Sequence, residues 1–399
     1  MRLLHVISSM DPKKGGPSQG LRNLNPFLEG HGMHVEIVCL DNEDLLSAQT
    51  SKLLKHKLGK GFSTFQYNSK LRSWLIKNLT SFDFVSVHGI WQYPNIAVYS
   101  AINHLKRKGE KHIPKVVIMP HGMLDPYFQT TKDRKWKALR NEIVWRLTER
   151  RAINAADAVF FTCQIELELA RTTFKGYHPK KEINVGYGIQ EPPVFDSRMQ
   201  FAFEQCCPEL NNNAYWLFLS RIDPKKGIDI LIAAYKNLKQ RGLSLPHLVI
   251  AGPVDSAYAQ KMVEAAKEID TIHFPGMLTG DQKWGAFYGC SVFLLPSHQE
   301  NFGIAIVEAM ACGKPVLISN KVNIWKEIQA GYGGWILEEI EMFNLEDELN
   351  SILNLDTAQL SNKGNQARKT YEKYFRVEDK AAKFISALLY CDKQNINYE

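Results

Sequence analysis

Two glutamates, Glu300 and Glu308, stand eight positions apart in HQENFGIAIVEAMACGKPVLIS, residues 298–319. A helix from Gly303 to Cys312 places Ile304, Val307 and Ala311 around Glu308 and sets Ile306 and Met310 on the other side. A helix that is apolar all round is a buried one, and an ionised carboxylate inside it costs several kcal/mol unless hydrogen bonds reach it. No cation lies within one helical turn of Glu308. Its partner is then a Lys or Arg from a distant segment, or a ligand hydroxyl group. Just before the helix, Glu300, Asn301, Phe302 and Gly303 form a turn whose backbone N–H groups belong to an uncapped helix N-terminus, suited to hydroxyl or phosphate oxygens.

Three further stretches carry related chemistry. In SRIDPKKGIDILIAAY, Arg221 closes an apolar run and Lys226 precedes a helix marked by Ile228, Leu231, Ile232 and Tyr235. Two cations beside a helix N-terminus make an anion site that fits a diphosphate, whereas either alone reads as a solvated loop charge. In SSMDPKKGGPSQG, Gly15 and Gly16 precede Pro17 and a helix starting near Ser18. Backbone without a Cβ lets N–H groups approach a phosphate closely there, and an ordinary tight turn is the alternative. His121, followed by Gly122 after KVVIMP, is a candidate ligand contact, and His88 after FDFVSV competes for that role.

The elements that must hold these groups are strands and helices in alternation. RLLHVIS, HVEIVCL, FDFVSVH, KVVIMP, DAVFF and EINVGY read as strands, separated by helical patterns that often end in Gly. This is the βαβ signature of a parallel sheet covered on both faces. IQEPPVFDS interrupts it as a linker, and YWLFLS, HLVIAG, TIHFPG, SVFLLPS and KPVLIS resume it. The expectation is an α/β chain of two doubly wound domains, residues 1–190 and 191–374, with a final helix over about 375–399 packing back on the first. Each domain offers the carboxyl ends of its strands to a common cleft, the place where ligands bind in such sheets.

A chain of 399 residues with 45% hydrophobic content fills two cores, and no apolar run is long enough to span a bilayer. The opening MRLLHVISS reads as a buried strand rather than a signal peptide. Seven scattered cysteines without ligand spacing point to a reducing cytoplasm and no structural zinc. The net charge of +7 is uneven: residues 1–190 carry 28 Lys and Arg against 16 Asp and Glu. Part of that excess lies in TKDRKWKALRNEIVWRLTERR, where Trp136, Leu139, Ile143 and Leu147 recur at helical spacing among Lys132, Lys135, Arg140, Arg146 and Arg150. Such a helix either lies on an anionic membrane face or is a core helix with a solvated basic side. No nucleic-acid-binding module accompanies the charge.

Taken together, SRIDPKKGIDILIAAY, ENFGIAIVEAMACGKPV, the amino-terminal GGP, the HG after the fourth strand and FPGML resemble the retaining glycosyltransferases of family 4, which have the GT-B fold. The HGMLDP form of the histidine loop departs from the usual pattern. The resemblance implies that Arg221 and Lys226 bind the donor diphosphate and that Glu308 accepts from the ribose hydroxyls of the nucleotide. Glu300 and the backbone of Asn301, Phe302 and Gly303 would hold the transferred sugar. Gly15 and Gly16 would approach the diphosphate, His121 the sugar near its 6-hydroxyl, and Met277 and Leu278 would flank the base. The transferred sugar is not named by these residues, because Glu300 and backbone groups suit several hexoses; the expectation is a UDP-sugar donor, UDP-glucose first, with UDP-galactose, UDP-N-acetylglucosamine and GDP-mannose behind it. The basic first domain suggests as acceptor a saccharide or lipid-linked saccharide, reached at the inner membrane face by a cytoplasmic protein. Cations and helix N-termini would stabilise the leaving diphosphate, so that no metal or other cofactor is needed. The alternatives are another sugar-nucleotide enzyme of the same fold, an epimerase or phosphorylase, and a non-catalytic partner.

Overall fold

The computed structural model describes residues 1–11, 15–42, 56–131 and 134–392. The chain divides into two units, residues 1–190 together with 377–399, and residues 191–376.

The described residues of the first unit form seven parallel strands: β1 (Arg2–Ile7), β2 (His34–Cys39), β3 (His56–Lys57), β4 (Phe84–His88), β5 (Lys115–Met119), β6 (Ala158–Phe161) and β7 (Glu182–Asn184). Their order across the sheet is β3-β2-β1-β4-β5-β6-β7. The chain moves outward from β1 in one direction and then returns to build in the other, so a topological switch point lies between β1 and β4. Successive side chains of a strand point to opposite faces. Leu4, Val6, Val85, Val87 and Phe161 accordingly pack with Trp145 on one side, while Leu3, Phe84, Val117 and Phe160 pack on the other. That second face is closed by the helix Val377–Asp392 through Ala381, Phe384 and Leu388. Burying Phe384 and Leu388 contributes roughly 2 kcal/mol each. Residues 393–399 of the expected final helix lie outside the described residues, as does Lys132.

The second unit repeats the scheme with β8 (Tyr215–Leu219), β9 (His247–Ala251), β10 (Ile272–Gly276), β11 (Val292–Leu295), β12 (Val316–Ser319) and β13 (Gly334–Leu337), in the order β10-β9-β8-β11-β12-β13. Its switch point lies between β8 and β11. The helix Ile228–Gln240 buries Ile228, Leu231, Ile232 and Tyr235, the four residues whose spacing announced it. Two strands, β3 and β13, go beyond the sequence reading.

The basic helical stretch folds as Lys135–Val144, a π-helical turn Trp145–Glu149 and Arg150–Ala155. Asn141, Trp145 and Glu149 face inward. The apolar residues that marked the helix face outward: Trp136 is 85% exposed and Leu147 64%, with Leu139 and Ile143 at least half exposed. The core-helix reading of that stripe is therefore overturned, because the inward positions are taken by a different set of residues.

Candidate functional site

In the second unit, the residues singled out in the sequence gather where β8 and β11 end. β8 runs into Arg221, which is exposed and has no ion-pair partner among the described residues. A short turn, Pro224–Lys226, follows, capped by the Asp223 side chain accepting from Lys225 N–H, and leads into the helix Ile228–Gln240 through Gly227. Gly227 has φ 69°, and a Cβ there would fall 2.2 Å from the carbonyl oxygen of Pro296. The loops after β8 and β11 thus touch backbone to backbone, which only glycine permits.

That approach brings Lys226 against Glu300. Lys226 is buried and its Nζ donates to Glu300 Oε2. Lys225 Nζ lies 3.3 Å from Gln299 Oε1. Burial opposes ionisation of Glu300, but the charges of Lys226 and Lys225 outweigh it and hold the carboxyl below its usual range. Burial, and then the charge of Lys226, push the Lys225 ammonium down to about 8. The Glu300 backbone is itself fixed: its N–H donates to Lys321 O and its carbonyl accepts from Asn323 N–H, while Asn323 Nδ2 donates to Asn301 Oδ1.

The helix Ile304–Ala311 begins at Gly303, with φ 75° and no side-chain cap. Phe302 turns its ring into the unit against Phe375, leaving only its backbone for a ligand. Glu308 is buried on this helix and has a protein partner, Lys283 Nζ, 2.8 Å from Oε1. This is the distant cation that the sequence left open as an alternative to a ligand hydroxyl. Oε2 of Glu308 takes no hydrogen bond from the described residues. After β10, Met277 is half exposed and Leu278 is buried.

In the first unit, Gly15 (φ 98°) caps the helix Gly16–Gly30, and the carbonyl of Gly16 accepts from the Tyr187 hydroxyl at 2.8 Å. His121 follows β5 with φ 53°. The next N–H, of Gly122, donates to Glu166 at 2.6 Å, and Glu166 also takes the N–H and hydroxyl of Thr162. The two histidines that competed in the sequence are joined, His88 Nδ1 lying 3.0 Å from His121 Nε2.

Sequence reasoning missed Lys283, Lys225 and Gln299. A lysine five positions beyond FPGML carries no periodic signal, and only the demand that a buried carboxylate be paired could have prompted a search. It also missed a group of metal-ligating types: donor atoms of Cys207, Glu209 and His273 lie within 4.8 Å of one another. His273 sits near the amino-terminal end of β10, the opposite end of the sheet from Arg221 and Glu300. Burial and the Glu209 charge push the Cys207 thiol up to about 12, so it stays protonated at neutral pH.

The chain is similar to known proteins. Residues 14–185 match the family model Glycosyltransferase Family 4, and residues 208–370 match Glycosyl transferases group 1. A putative colanic acid biosynthesis glycosyltransferase of Escherichia coli, WcaL, is 27% identical over 39% of this chain and 40% of its own length. The lipopolysaccharide 1,2-N-acetylglucosaminetransferase of Salmonella typhimurium is 34% identical over 31% of this chain and 34% of its own. The chain thus spans about two fifths or less of the length of these curated relatives. Among solved structures, HepE of Anabaena in complex with UDP and glucose superposes with a TM-score of 0.73 at 17% identity, covering 98% of this chain and 100% of that one. Sucrose-phosphate synthase from Thermosynechococcus elongatus gives 0.72 at 18%, with the same coverage. With two family models in tandem along the chain and the two-domain α/β fold of these neighbours, the protein belongs to the GT-B glycosyltransferases of the family 4 type.

Proposed function

We propose that the chain is a retaining glycosyltransferase that moves a hexose from a UDP-sugar, UDP-glucose first, to a saccharide or lipid-linked saccharide in polysaccharide or glycolipid synthesis. The observation that carries this reading is the set Arg221, Lys226 and Glu300 at the carboxyl ends of β8 and β11, beside an uncapped helix start. Breaking the bond between anomeric carbon and phosphate leaves an oxocarbenium-like sugar and a doubly charged diphosphate. Arg221, Lys226 and the helix N-terminus stabilise that charge as it develops. Oε2 of Glu308 is the acceptor for a ribose hydroxyl, while Lys283 holds the other oxygen. Glu300 and the backbone from Asn301 to Gly303 meet the sugar hydroxyls. A front-face attack, with a phosphate oxygen taking the acceptor's proton, gives retention. Protein cations supply the charge, so EDTA leaves turnover intact. Support for uridine comes from the solved complexes of HepE with UDP and with UDP-glucose.

The acceptor side includes the membrane. The outward stripe of Trp136, Leu139, Ile143 and Leu147 is flanked by Lys135, Lys137, Arg140, Arg146 and Arg150, the composition of a helix that lies on an anionic bilayer. No helix of the described residues is long and apolar enough to cross one. The protein then works at the cytoplasmic face on a lipid-linked acceptor.

A panel of nucleotide sugars in a thermal-shift assay tests the donor. At a hundredfold excess over Kd, binding to the native state adds about 2.7 kcal/mol, which for a domain of this size raises Tm by about 5–10 °C. UDP-glucose should give the largest rise, and Arg221→Ala should abolish it. A panel without any stabilising nucleotide sugar would overturn the function.

A further inference from the structure

The first unit carries an open cavity of about 340 Å³ that Gly15, Gly16 and His121 do not line. Its volume is that of a small-ligand site. Ile90 and Trp91 reach it from the carboxyl end of β4 and Met123 from that of β5, the edge at which open α/β sheets meet their ligands. Phe65, Trp91, Met123 and Phe128 supply an apolar wall. Arg134 and Arg140 are the charged groups among the described residues that line it, and no carboxylate stands with them.

The Arg134 guanidinium lies over the Phe128 ring, 5.0 Å from its centre, and its Nε is enclosed without a hydrogen-bond partner. Arg140 donates through Nε and Nη2 to the side-chain oxygen of the adjacent Asn141. Neither has an ion-pair partner among the described residues, whereas Arg146 on the next turn pairs with Glu142. Two guanidiniums around one hollow repel each other, and an enclosed N–H without an acceptor is costly. An anion with several oxygens relieves both, and phosphate matches the guanidinium fork. Trp91 has φ 70°, an outlier for so bulky a residue. It is held there by its N–H, which donates to Glu149 Oε1 at 3.1 Å, and by its indole Nε1, which donates to Met123 O at 3.3 Å. Backbone strain of this kind persists where a ligand contact is pre-organised. The fixed ring gives the C–H face of a sugar an apolar surface to pack on.

Arg140 and Val144 come from the helix Lys135–Val144, whose Trp136, Leu139 and Ile143 face outward. With about 3.6 residues per turn, Arg140 and Val144 lie between that outward stripe and the buried Asn141. The cavity thus opens beside the stripe. We propose that it binds a saccharide joined to a lipid through phosphate, with Arg134 and Arg140 on the phosphate and Trp91 against the sugar. The lipid then continues past Arg140 to the bilayer met by Trp136, Leu139 and Ile143. That this ligand is the glycosyl acceptor rests on the proposed function; that the cavity takes a sugar phosphate does not.

The test is calorimetric titration of the full chain, first with UDP and then, in its presence, with three monomeric probes. These are octyl glucosyl phosphate, in which the phosphate links chain and sugar, glucose 1-phosphate, and the uncharged octyl glucoside. The phosphodiester should bind at least tenfold more tightly than the glucoside. Arg134→Gln or Arg140→Gln should weaken it by about tenfold, the loss of one charged hydrogen bond, and leave the glucoside where it was. Arg140→Gln, at an exposed position, serves if Arg134→Gln does not fold. A glucoside that binds as tightly as the phosphodiester, or arginine variants that bind it like the wild type, overturn the proposal. Glucose 1-phosphate binding as tightly as the phosphodiester refutes the lipid and leaves a site for a soluble sugar phosphate. The two readings fail separately. A chain that binds UDP but none of the probes refutes this cavity alone, whereas one that binds the phosphodiester but not UDP upholds the cavity and removes it from glycosyl transfer.

Discussion

Glu308 allows two roles to be weighed on one side chain. Its Oε1 lies 2.8 Å from Lys283 Nζ, a separation at which two unit charges attract by about 6 kcal/mol at an effective dielectric of 20. Desolvation of both groups offsets most of this. Removing one partner of a fully buried pair costs about 3–5 kcal/mol, and because Lys283 keeps 23% of its side chain in solvent we take about 2 kcal/mol for Lys283→Met. That is a drop in Tm of about 4–8 °C for a unit of this size. The double variant Lys283→Met/Glu308→Gln removes the stranded charge and should recover most of the loss. Nucleotide binding behaves differently. A hydrogen bond from a ribose hydroxyl to an ionised carboxylate contributes about 1.5–3 kcal/mol, so Glu308→Gln should weaken UDP by about ten- to a hundredfold, whether or not Lys283 is present. Calorimetric titration with UDP and thermal melts of the three variants decide the matter. If Glu308→Gln binds UDP like the wild type while Lys283→Met melts early, the carboxylate serves the lysine alone, and the assignment of Glu308 to the ribose is refuted.

Other consequences are open to measurement. Lys226→Met leaves Glu300 charged and largely buried, so it should lower stability by about 2–3 kcal/mol, with recovery in Lys226→Met/Glu300→Gln but no recovery of turnover. Glu149 is pushed up from 4.5 to about 7 by burial, against the hydrogen bonds of Asn95 and the Trp91 N–H. The native state therefore holds a proton there that the unfolded chain has released. Its contribution is fully present below pH 4.5 and is lost as pH rises through 7, about 3 kcal/mol in all; urea melts of Glu149→Gln between pH 5 and 8 should lack that slope. Trp136→Ser/Ile143→Ser should abolish cosedimentation with vesicles containing phosphatidylglycerol while leaving UDP affinity unchanged. Equal binding of variant and wild type would remove the helix from the membrane.

The sheets were legible because both their faces are buried. Leu3 and Leu4, or Phe84 and Val85, pack on opposite sides, so the strands read as unbroken apolar runs that no exposed strand would show. β3 escaped notice because His56–Lys57 is only two residues long, and β13 because GWIL opens on a glycine that a strand rarely wants. The spacing of Trp136, Leu139, Ile143 and Leu147 was equally plain, yet periodicity says only that a face is apolar and not what it meets. The core contact went to Asn141, Trp145 and Glu149, because the loop N–H of Trp91 and the amide of Asn95 donate to Glu149 from the inner side. Partners such as these, across long stretches of sequence, leave no local trace.

The same limit explains why the lysine partners of the site's carboxylates could not be named from the sequence. Each already has a lysine: Glu300 has Lys226 and Glu308 has Lys283. Pairing does not argue against binding, because a carboxylate has about four lone-pair sites and one ammonium occupies only part of them. It argues instead that the site is charged and ordered before the donor arrives. Among the described residues, Lys283 leaves Oε2 of Glu308 without a donor, and Arg221 stands exposed and without an ion pair. A diphosphate reaching Arg221 then need not break an existing ion pair. Lys226, by contrast, must share its Nζ between Glu300 and any phosphate, so its attraction for the leaving group grows only as negative charge builds there. Under this scheme Arg221→Ala weakens donor binding, whereas the Lys226→Met/Glu300→Gln protein binds the donor and turns it over slowly.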